Sequence, residues 1–361
     1  MVKLKSITAR TKNKEYKIII GQSILEQIKK INKLVSAERY ALIISARIME
    51  LYNDLINASF NGIINYDVFI MDDGENNKNY KYAEKFLDKM LKKGYSRKTA
   101  VIGIGGGVVG DFAGFIASLY MRGIPLIHIP TTLLAMVDSS IGGKTAVNLS
   151  AGKNIVGAFY HPDMVLTELN FIKTLPENEL KNGLTEVLKH AVIGEDKLLN
   201  ILCKNDLKTI KESDNIAKIV YLSVLFKSRI VEKDEDEKGI RAILNFGHTV
   251  GHAIESLLKF RGISHGEAVA IGLKVAMEIS RRLGWLTDKE TNMVNDLIIK
   301  YKLISKEYKL NANDIIKHMK YDKKNSNNKF KFVLLNGLNN PVYNQEVENG
   351  LLKEAIKSII F

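Results

Sequence analysis

The sequence predicts an α/β domain over residues 1–170 followed by a mostly α-helical domain over 171–361. Three observations carry this. As far as about residue 170, short apolar runs alternate with segments of helical period, which argues a largely parallel sheet covered by helices. From Pro176 onward the apolar positions recur at helical spacing over about 177–203, 206–232, 247–259, 265–283 and 288–301, and no strand pattern returns until Phe330–Leu335. Within the first part, the apolar run Ala100–Ile104 leads into Gly105-x-Gly107-x-x-Gly110 and then a helical pattern to about Leu119. That is the glycine spacing of a strand–turn–helix that receives a dinucleotide pyrophosphate, where a Cβ would block the backbone's approach and the helix N-terminus favours the anion.

The elements follow in order. Residues 4–21 read as two short strands, the second Tyr16–Ile20. Ile24–Leu34 has helical spacing, Tyr40–Ser45 reads as a strand and Ile48–Ile56 as a helix. Tyr66–Met71 is a strand that ends in the polar loop from Asp72 to Lys78, and Tyr80–Lys93 is an amphipathic helix stopped by Gly94. Ile127–Ile129 is a further strand, followed by Pro130-Thr131-Thr132. The usual acid about 20 residues beyond such a glycine turn is absent here, because that region is apolar. Next comes Asp138-Ser139-Ser140-Ile141-Gly142-Gly143-Lys144, a loop dense in polar residues and glycine inside an apolar stretch. Such loops at strand ends are where α/β proteins bind ligands. Lys323–Lys329 reads as a polar loop.

Composition bounds the function. Of 361 residues 46% are hydrophobic, enough for two cores, and the formal charge is +13. The lysines are spread along the chain and no zinc-finger or recognition-helix pattern occurs, so anionic small molecules account for the charge better than nucleic acid does. The single Cys203 excludes a disulfide within the chain and suits a reducing compartment. Met1-Val2-Lys3-Leu4-Lys5 runs straight into a strand pattern, so no signal peptide is expected, and no uncharged apolar run approaches the roughly 18 residues of a membrane span. The expected location is cytoplasmic.

The side chains that bear chemistry cluster late in the chain. His248 and His252 stand four apart, on one helix face, and His265 follows. Two histidines on one face suit a metal, but no Glu follows the first, so this is not the zinc-protease pattern. Glu186 is a candidate third ligand among several acids, and the alternative is histidines satisfied by hydrogen bonds in a helical core. His128, His161, His190 and His318 are read as packing residues. Lys144, Lys153 and Lys189 keep company with glycine, asparagine and Glu186, and Lys227, Arg241 and Asn245 precede His248. Together they suit an anionic substrate.

These blocks resemble the 3-dehydroquinate synthases, members of the sugar phosphate cyclase family. The matching stretches are GGGVVGDFAGFIAS, YMRGIPLIHIPTTLLAMVDSSIGGKTAVN, GKNIVGAFYHP, KTLP, GLTEVLKH, KSRIVEKDEDEKGIRAILNFGHTVGHAIE, SHGEAVAIGL and YDKK, from about residue 73 to 324. The resemblance implies a Rossmann-like NAD-binding domain, then a helical domain with zinc, or cobalt in its place, in the cleft between them. It implies metal ligands Glu186, His248 and His265. It implies NAD contacts from Asp73, Gly74, Glu75, Asn76, Asn77 and Lys78, from Gly106, Gly107, Val108, Val109 and Gly110, from Thr131, Thr132, Lys144 and Lys153, and from Phe171, Ile172, Lys173 and Thr174. His252 then leaves the metal and faces the substrate phosphate with Asn154, Lys323 and Arg122, the last from a second subunit, which implies a homodimer. Lys227 and Arg241 hold a carboxylate, and Asp138, Lys189 and Asn245 meet the reacting hydroxyls.

The implied reaction turns 3-deoxy-D-arabino-heptulosonate 7-phosphate into 3-dehydroquinate and phosphate, a step of the shikimate pathway toward aromatic amino acids. It proceeds through transient oxidation by NAD, phosphate β-elimination, reduction and intramolecular aldol closure, which makes the enzyme a lyase. Two other enzymes are related readings: a cyclase making 2-deoxy-scyllo-inosose or an epi-valiolone from a substrate without the carboxylate, and a metal- and NAD-dependent polyol dehydrogenase. Lys227 with Arg241 favours an acid, and the phosphate residues argue against the dehydrogenase. One departure stands out. Where the family ends its second N-terminal strand with Thr-Asp-x-Asn-Val, this chain has Ile44-Ser45-Ala46-Arg47-Ile48, so the acid for the adenosine ribose is replaced by Ser45. An Arg beside a lost acid can accept a 2′-phosphate, yet NAD remains the expected cofactor.

Overall fold

The computed structural model describes residues 4–26, 28, 35–61, 65–149, 152–320 and 330–360. The chain divides into two compact units, Met1–Leu175 with Ile216–Asp236, and Pro176–Asn215 with Glu237–Phe361.

The first unit is built on a seven-stranded sheet. Its strands are β1 (Lys5–Arg10), β2 (Glu15–Gly21), β3 (Arg39–Ser45), β4 (Tyr66–Met71), β5 (Thr99–Gly105), β6 (Leu126–Pro130) and, after the hairpin of β7 (Lys144–Leu149) and β8 (Gly152–Phe159), β9 (Met164–Glu168). The order across the sheet is β1-β2-β9-β6-β5-β3-β4. Only the β1–β2 pair is antiparallel. Every residue of β5, β6 and β9 is buried, as strands covered on both faces must be, whereas β1 alternates. Parallel pairing brings the carboxyl ends of β3, β4, β5 and β6 to one edge: Ser45, Met71, Gly105 and Pro130.

Helices α1 (Ala46–Phe60), α2 (Tyr80–Lys92) and α3 (Gly107–Leu119) return the chain between these strands. Gly94, which stops α2, takes φ +73°, where glycine is unstrained. α3 lies close on β5: a Cβ on Gly103 would stand 2.7 Å from Ala113, and one on Gly105 2.6 Å from Val109. Strands and helices expected from the sequence over 4–21, 40–56, 66–93 and 100–119 are present, and the expected helix over 24–34 falls mostly outside the described residues.

The second unit holds α4 (Glu177–Ile193), α5 (Asp196–Lys204) and α6 (Leu207–Ile210). After α7 (Ser213–Lys233), it continues with α8 (His248–Leu257), α9 (His265–Arg282), α10 (Asp288–Lys300), α11 (Ala312–Lys320), the hairpin β10 (Phe330–Leu335) and β11 (Pro341–Val347), and α12 (Asn349–Ile359). α4 and α9 form its centre, with thirteen buried residues each. Capping boxes at Ser264/Glu267 and Thr287/Glu290 fix the starts of α9 and α10.

Two features differ from the sequence reading. The segment 144–159, for which the sequence pattern predicts no element, is a β-hairpin, and β9 follows it. Sequence texture assigns all of 171–361 to the helical domain, but Ile216–Asp236, most of α7, clusters with the sheet unit, whose body ends at Leu175. Helical period records that a face is apolar and not what covers it.

Candidate active site

In the first unit the glycine turn opens α3 with Gly106 extended at its N-cap. Gly103, Gly105, Gly106 and Gly110 line a small pocket with Pro130, Ser139 and Ser140. A Cβ on Gly106 would come within 3.1 Å of Thr132, and one on Gly107 within 3.2 Å of Ser139, so side chains there would fill the space above the helix N-terminus. Bare backbone N–H groups at the start of a three-turn helix suit a pyrophosphate. Val109 is buried beneath, while Val108 is partly exposed.

The loop after β4 is tied to the hairpin. Lys78, 2% exposed, donates from Nζ to Asp111 Oδ2 at 2.5 Å and to Asn154 Oδ1 at 2.6 Å. Asn148 donates to Glu75 Oε2 at 2.5 Å and accepts from the Asn154 amide at 2.9 Å, while Lys153 Nζ stands 3.9 Å from Glu75. Of the expected loop residues, Asp73, Gly74 and Asn76 are exposed and Asn77 partly so. Asn154 at φ +54° and Arg122 at φ +68° hold a left-handed backbone that costs a non-glycine residue energy, a kind of strain found at functional sites. Both are exposed, as is Lys144 at the start of β7. Thr131 is buried and Thr132 half-buried. Phe171 and Ile172 are buried side chains, Phe171 edge-on to Tyr52 at 4.9 Å, and Thr174 Oγ1 meets the Tyr52 hydroxyl at 2.7 Å; of that group Lys173 and Thr174 are exposed. Asp138 sits in a π-turn, Ala135–Ser139, where Lys227 Nζ donates to its carboxylate at 2.7 Å and its carbonyl at 2.8 Å.

In the second unit three elements bring a carboxylate and two imidazoles together. Glu186 of α4 is fully buried, and its Oε1 receives no hydrogen bond. His248 Nε2, from the first turn of α8, lies 3.6 Å from that oxygen, and His265 Nε2, the first residue of α9, lies 3.7 Å from it. Ligand atoms about 2.1 Å from a tetrahedral ion stand about 3.4 Å apart, so the spacing fits a divalent cation and not a hydrogen bond. The remaining ring nitrogens are engaged: His248 Nδ1 with the Phe246 carbonyl at 3.1 Å, His265 Nδ1 with Glu255 Oε2 at 3.4 Å. Such partners fix the tautomer that points the other lone pair inward. Burial pushes His248 well below its ordinary pKa, which keeps that lone pair free. Burial lowers His265 too, but Glu186 and Glu255 outweigh it and raise it to about 10 without a cation. Burial works to raise the Glu186 carboxyl, yet Lys189 and the two rings hold it well below the usual range.

His252 is exposed on the same face of α8, its ring 5.2 Å from that of His248. His252, Glu255 and His265 form a second, overlapping group of ligand-sized spacing. Lys189 pairs with Glu186 one turn along α4. Arg241 is 2% exposed, and Asn245 Nδ2 donates to Glu237 Oε1 at 2.7 Å. Lys323 lies outside the described residues. Of the other histidines, burial takes His128 down to about 4, His161 faces Glu235 at 3.0 Å and His318 meets Ser256 at 3.0 Å.

A family model described as 3-dehydroquinate synthase N-terminal matches residues 68–182, and one described as 3-dehydroquinate synthase C-terminal matches 183–325. A 3-dehydroquinate synthase of Pelagibacter ubique is 40% identical over 370 residues, covering 99% of both chains.

The chain belongs to the 3-dehydroquinate synthase family.

It is an enzyme of that family of lyases. Among solved structures, 2-deoxy-scyllo-inosose synthase complexed with carbaglucose-6-phosphate, NAD+ and Co2+ superposes with TM-score 0.88 at 26% identity, covering 98% of this chain and 100% of that one. The 2-epi-5-epi-valiolone synthase of Streptomyces hygroscopicus subsp. jinggangensis with NAD+ and Zn2+ gives 0.88 at 25% identity, covering 97% and 98%. No helix among the described residues is long and apolar enough to cross a membrane. For this 3-dehydroquinate synthase family member, sequence reasoning missed Asp111, Glu237 and Glu255, each of which holds a candidate site residue. Glu255 had a signal: with His248 and His252 it completes an i, i+4, i+7 stripe on α8.

Proposed function

We propose that this chain converts 3-deoxy-D-arabino-heptulosonate 7-phosphate to 3-dehydroquinate and phosphate, as a cytoplasmic homodimer with NAD and one divalent cation, zinc or cobalt, and no nucleic-acid partner. The observation that carries the reading is the Glu186–His248–His265 group, whose buried carboxylate oxygen lacks a hydrogen bond and faces two imidazole nitrogens at cation spacing. Bound NAD supplies a reversible hydride acceptor and the cation a Lewis acid, so the cycle ends without net oxidation.

The chain's own residues bind and orient. The glycine turn at Gly106, Gly107 and Gly110 receives the pyrophosphate on the N-terminus of α3, with Thr131 and Thr132 just past the end of β6 and Lys144 and Lys153 supplied by the hairpin β7–β8. Glu186, His248 and His265 hold the cation. His252, exposed beside them, together with Asn154, Arg122 and Lys323 takes the phosphate; Asn154 and Arg122 are pre-set by strained backbone. Lys227 and Arg241, both buried cations, take the carboxylate, which separates this substrate from those of the inosose and valiolone cyclases. Asp138, oriented by Lys227, and Asn245, oriented by Glu237, meet the hydroxyls with Lys189.

The test mixes protein, catalytic NAD, zinc and the heptulosonate phosphate, and follows phosphate release with the carbocyclic product. Many turnovers per NAD and no lasting NADH absorbance are expected. Stoichiometric NADH would make the enzyme a dehydrogenase, and turnover of a sugar phosphate lacking the carboxylate would make it another cyclase.

A further inference from the structure

The acid missing from the end of β3 is replaced from the next strand. Ser45 closes β3 and pairs in register with Met71 at the end of β4, and Asp73 lies two residues beyond. Ser45 Oγ donates to Asp73 Oδ1 at 2.6 Å, and the Arg47 amide, in the first turn of α1, donates to Asp73 Oδ2 at 3.0 Å. The Asp73 carboxylate is thus held at the mouth of β3, the strand beside the glycine-turn strand β5, while the residue itself remains exposed. In dinucleotide sites that edge is where an acid accepts the ribose 2′-hydroxyl. We infer that Asp73 is the ribose-binding and cofactor-selecting residue of this chain, its carboxylate standing in for the one that Ser45 lacks. This rests on the NAD reading above.

The surroundings favour NAD over its 2′-phosphate. A carboxylate has two oxygens with about four acceptor sites, so one donor on each leaves capacity for ribose hydroxyls. The same negative charge opposes a 2′-phosphate. Arg47, which could have welcomed that phosphate, spends its amide on Asp73 and its guanidinium on Glu50 Oε2 at 2.8 Å. Ser45 is 4% exposed and its hydroxyl also accepts from the Ile48 amide at 3.3 Å, so it positions Asp73 and does not itself reach a ligand.

The experiment is equilibrium binding of NAD and of NADP, by calorimetry, to the full chain and to Asp73→Asn, Ser45→Ala and the exchange Ser45→Asp/Asp73→Ser. Wild type should prefer NAD. Asp73→Asn should lose NAD affinity by about tenfold or more, since hydrogen bonds to a charged acceptor are lost, with little loss for NADP. Ser45→Ala should weaken NAD by less, and the exchange should regain the preference. Because the ratio is taken within each variant, a loss of stability common to both ligands does not mimic the result. An unchanged NAD:NADP ratio in Asp73→Asn overturns the inference and leaves Asp73 as a cap on α1. A wild type that binds neither dinucleotide overturns the NAD reading beneath it.

Discussion

His265 turns its Nε2 toward Glu186 Oε1 at 3.7 Å and its Nδ1 toward Glu255 Oε2 at 3.4 Å. One imidazole thereby joins the candidate ligand cluster to a carboxylate behind it. Such outer carboxylates orient the ring and raise its basicity, and removing one typically costs about 10–100-fold in metal affinity. Glu255→Gln should show a loss of that size in competition with a chromophoric chelator. Equal affinities would mean that the 3.4 Å contact does not support the ligand.

His248 and His252 lie on one face of α8 and both approach His265, so two ligand sets overlap there. Burial separates them. His248 keeps only 13% of its side chain exposed and faces the buried Glu186 oxygen, whereas His252 is exposed. His248→Ala should therefore retain no metal after dialysis. His252→Ala should retain it while binding the phosphorylated substrate about tenfold or more weaker. Equal metal loss in both variants would move the site to His252, Glu255 and His265.

The parallel core was legible because β3, β5 and β6 are continuous apolar runs closed by glycine, serine or proline. The hairpin β7–β8 was not: β8 is GKNIVGAF, mostly exposed and without alternation, so it gives no strand signal although it carries Lys153 and Asn154. The metal residues were legible as types, since Glu186, His248 and His265 stand in dense motifs. What positions other residues of the candidate site was not. Glu237 holds Asn245 from eight residues away and Ser45 meets Asp73 from twenty-eight, separations that carry no periodic signal. The home of α7 was equally hidden, because an amphipathic pattern fits either unit.

Asp67, at the start of β4, supports a pH-dependent part of the stability. Burial pushes its carboxyl up, but Lys93, Tyr95 and Arg39, at 2.8, 2.5 and 2.5 Å, outweigh that and bring it down to about 2. A carboxyl lowered in the folded state stabilises above its unfolded value, near 4, and that contribution fades as pH falls through the folded one. Asp67→Asn should cost roughly 1–2 kcal/mol at pH 7 after allowing for partial exposure. Urea midpoints of variant and wild type should converge as pH drops from about 5 toward 2. A gap constant over that range would assign the loss to packing.

Lys78 gives the last prediction, because the family resemblance offers it to NAD while the structure shows it already committed. Its side chain is 3% exposed and its Nζ bridges Asp111 and Asn154, so it joins the β4 loop, α3 and the hairpin. Burial holds the Asp111 carboxyl above its ordinary value, and Lys78 offsets only part of that rise. Removing the cation leaves that acid uncompensated, which for a buried pair costs about 3–5 kcal/mol. Asp111 keeps 21% of its side chain exposed, so the lower end applies to Lys78→Met. The loss should appear in urea unfolding without any dinucleotide present, with an unchanged slope. Adding Asp111→Asn removes the stranded charge and should recover part of the stability, an interaction that a double-mutant cycle measures directly. If the two losses simply add, Lys78 and Asp111 are not coupled. If Lys78→Met weakens NAD binding and leaves the unfolding midpoint alone, the lysine serves the cofactor and not the scaffold.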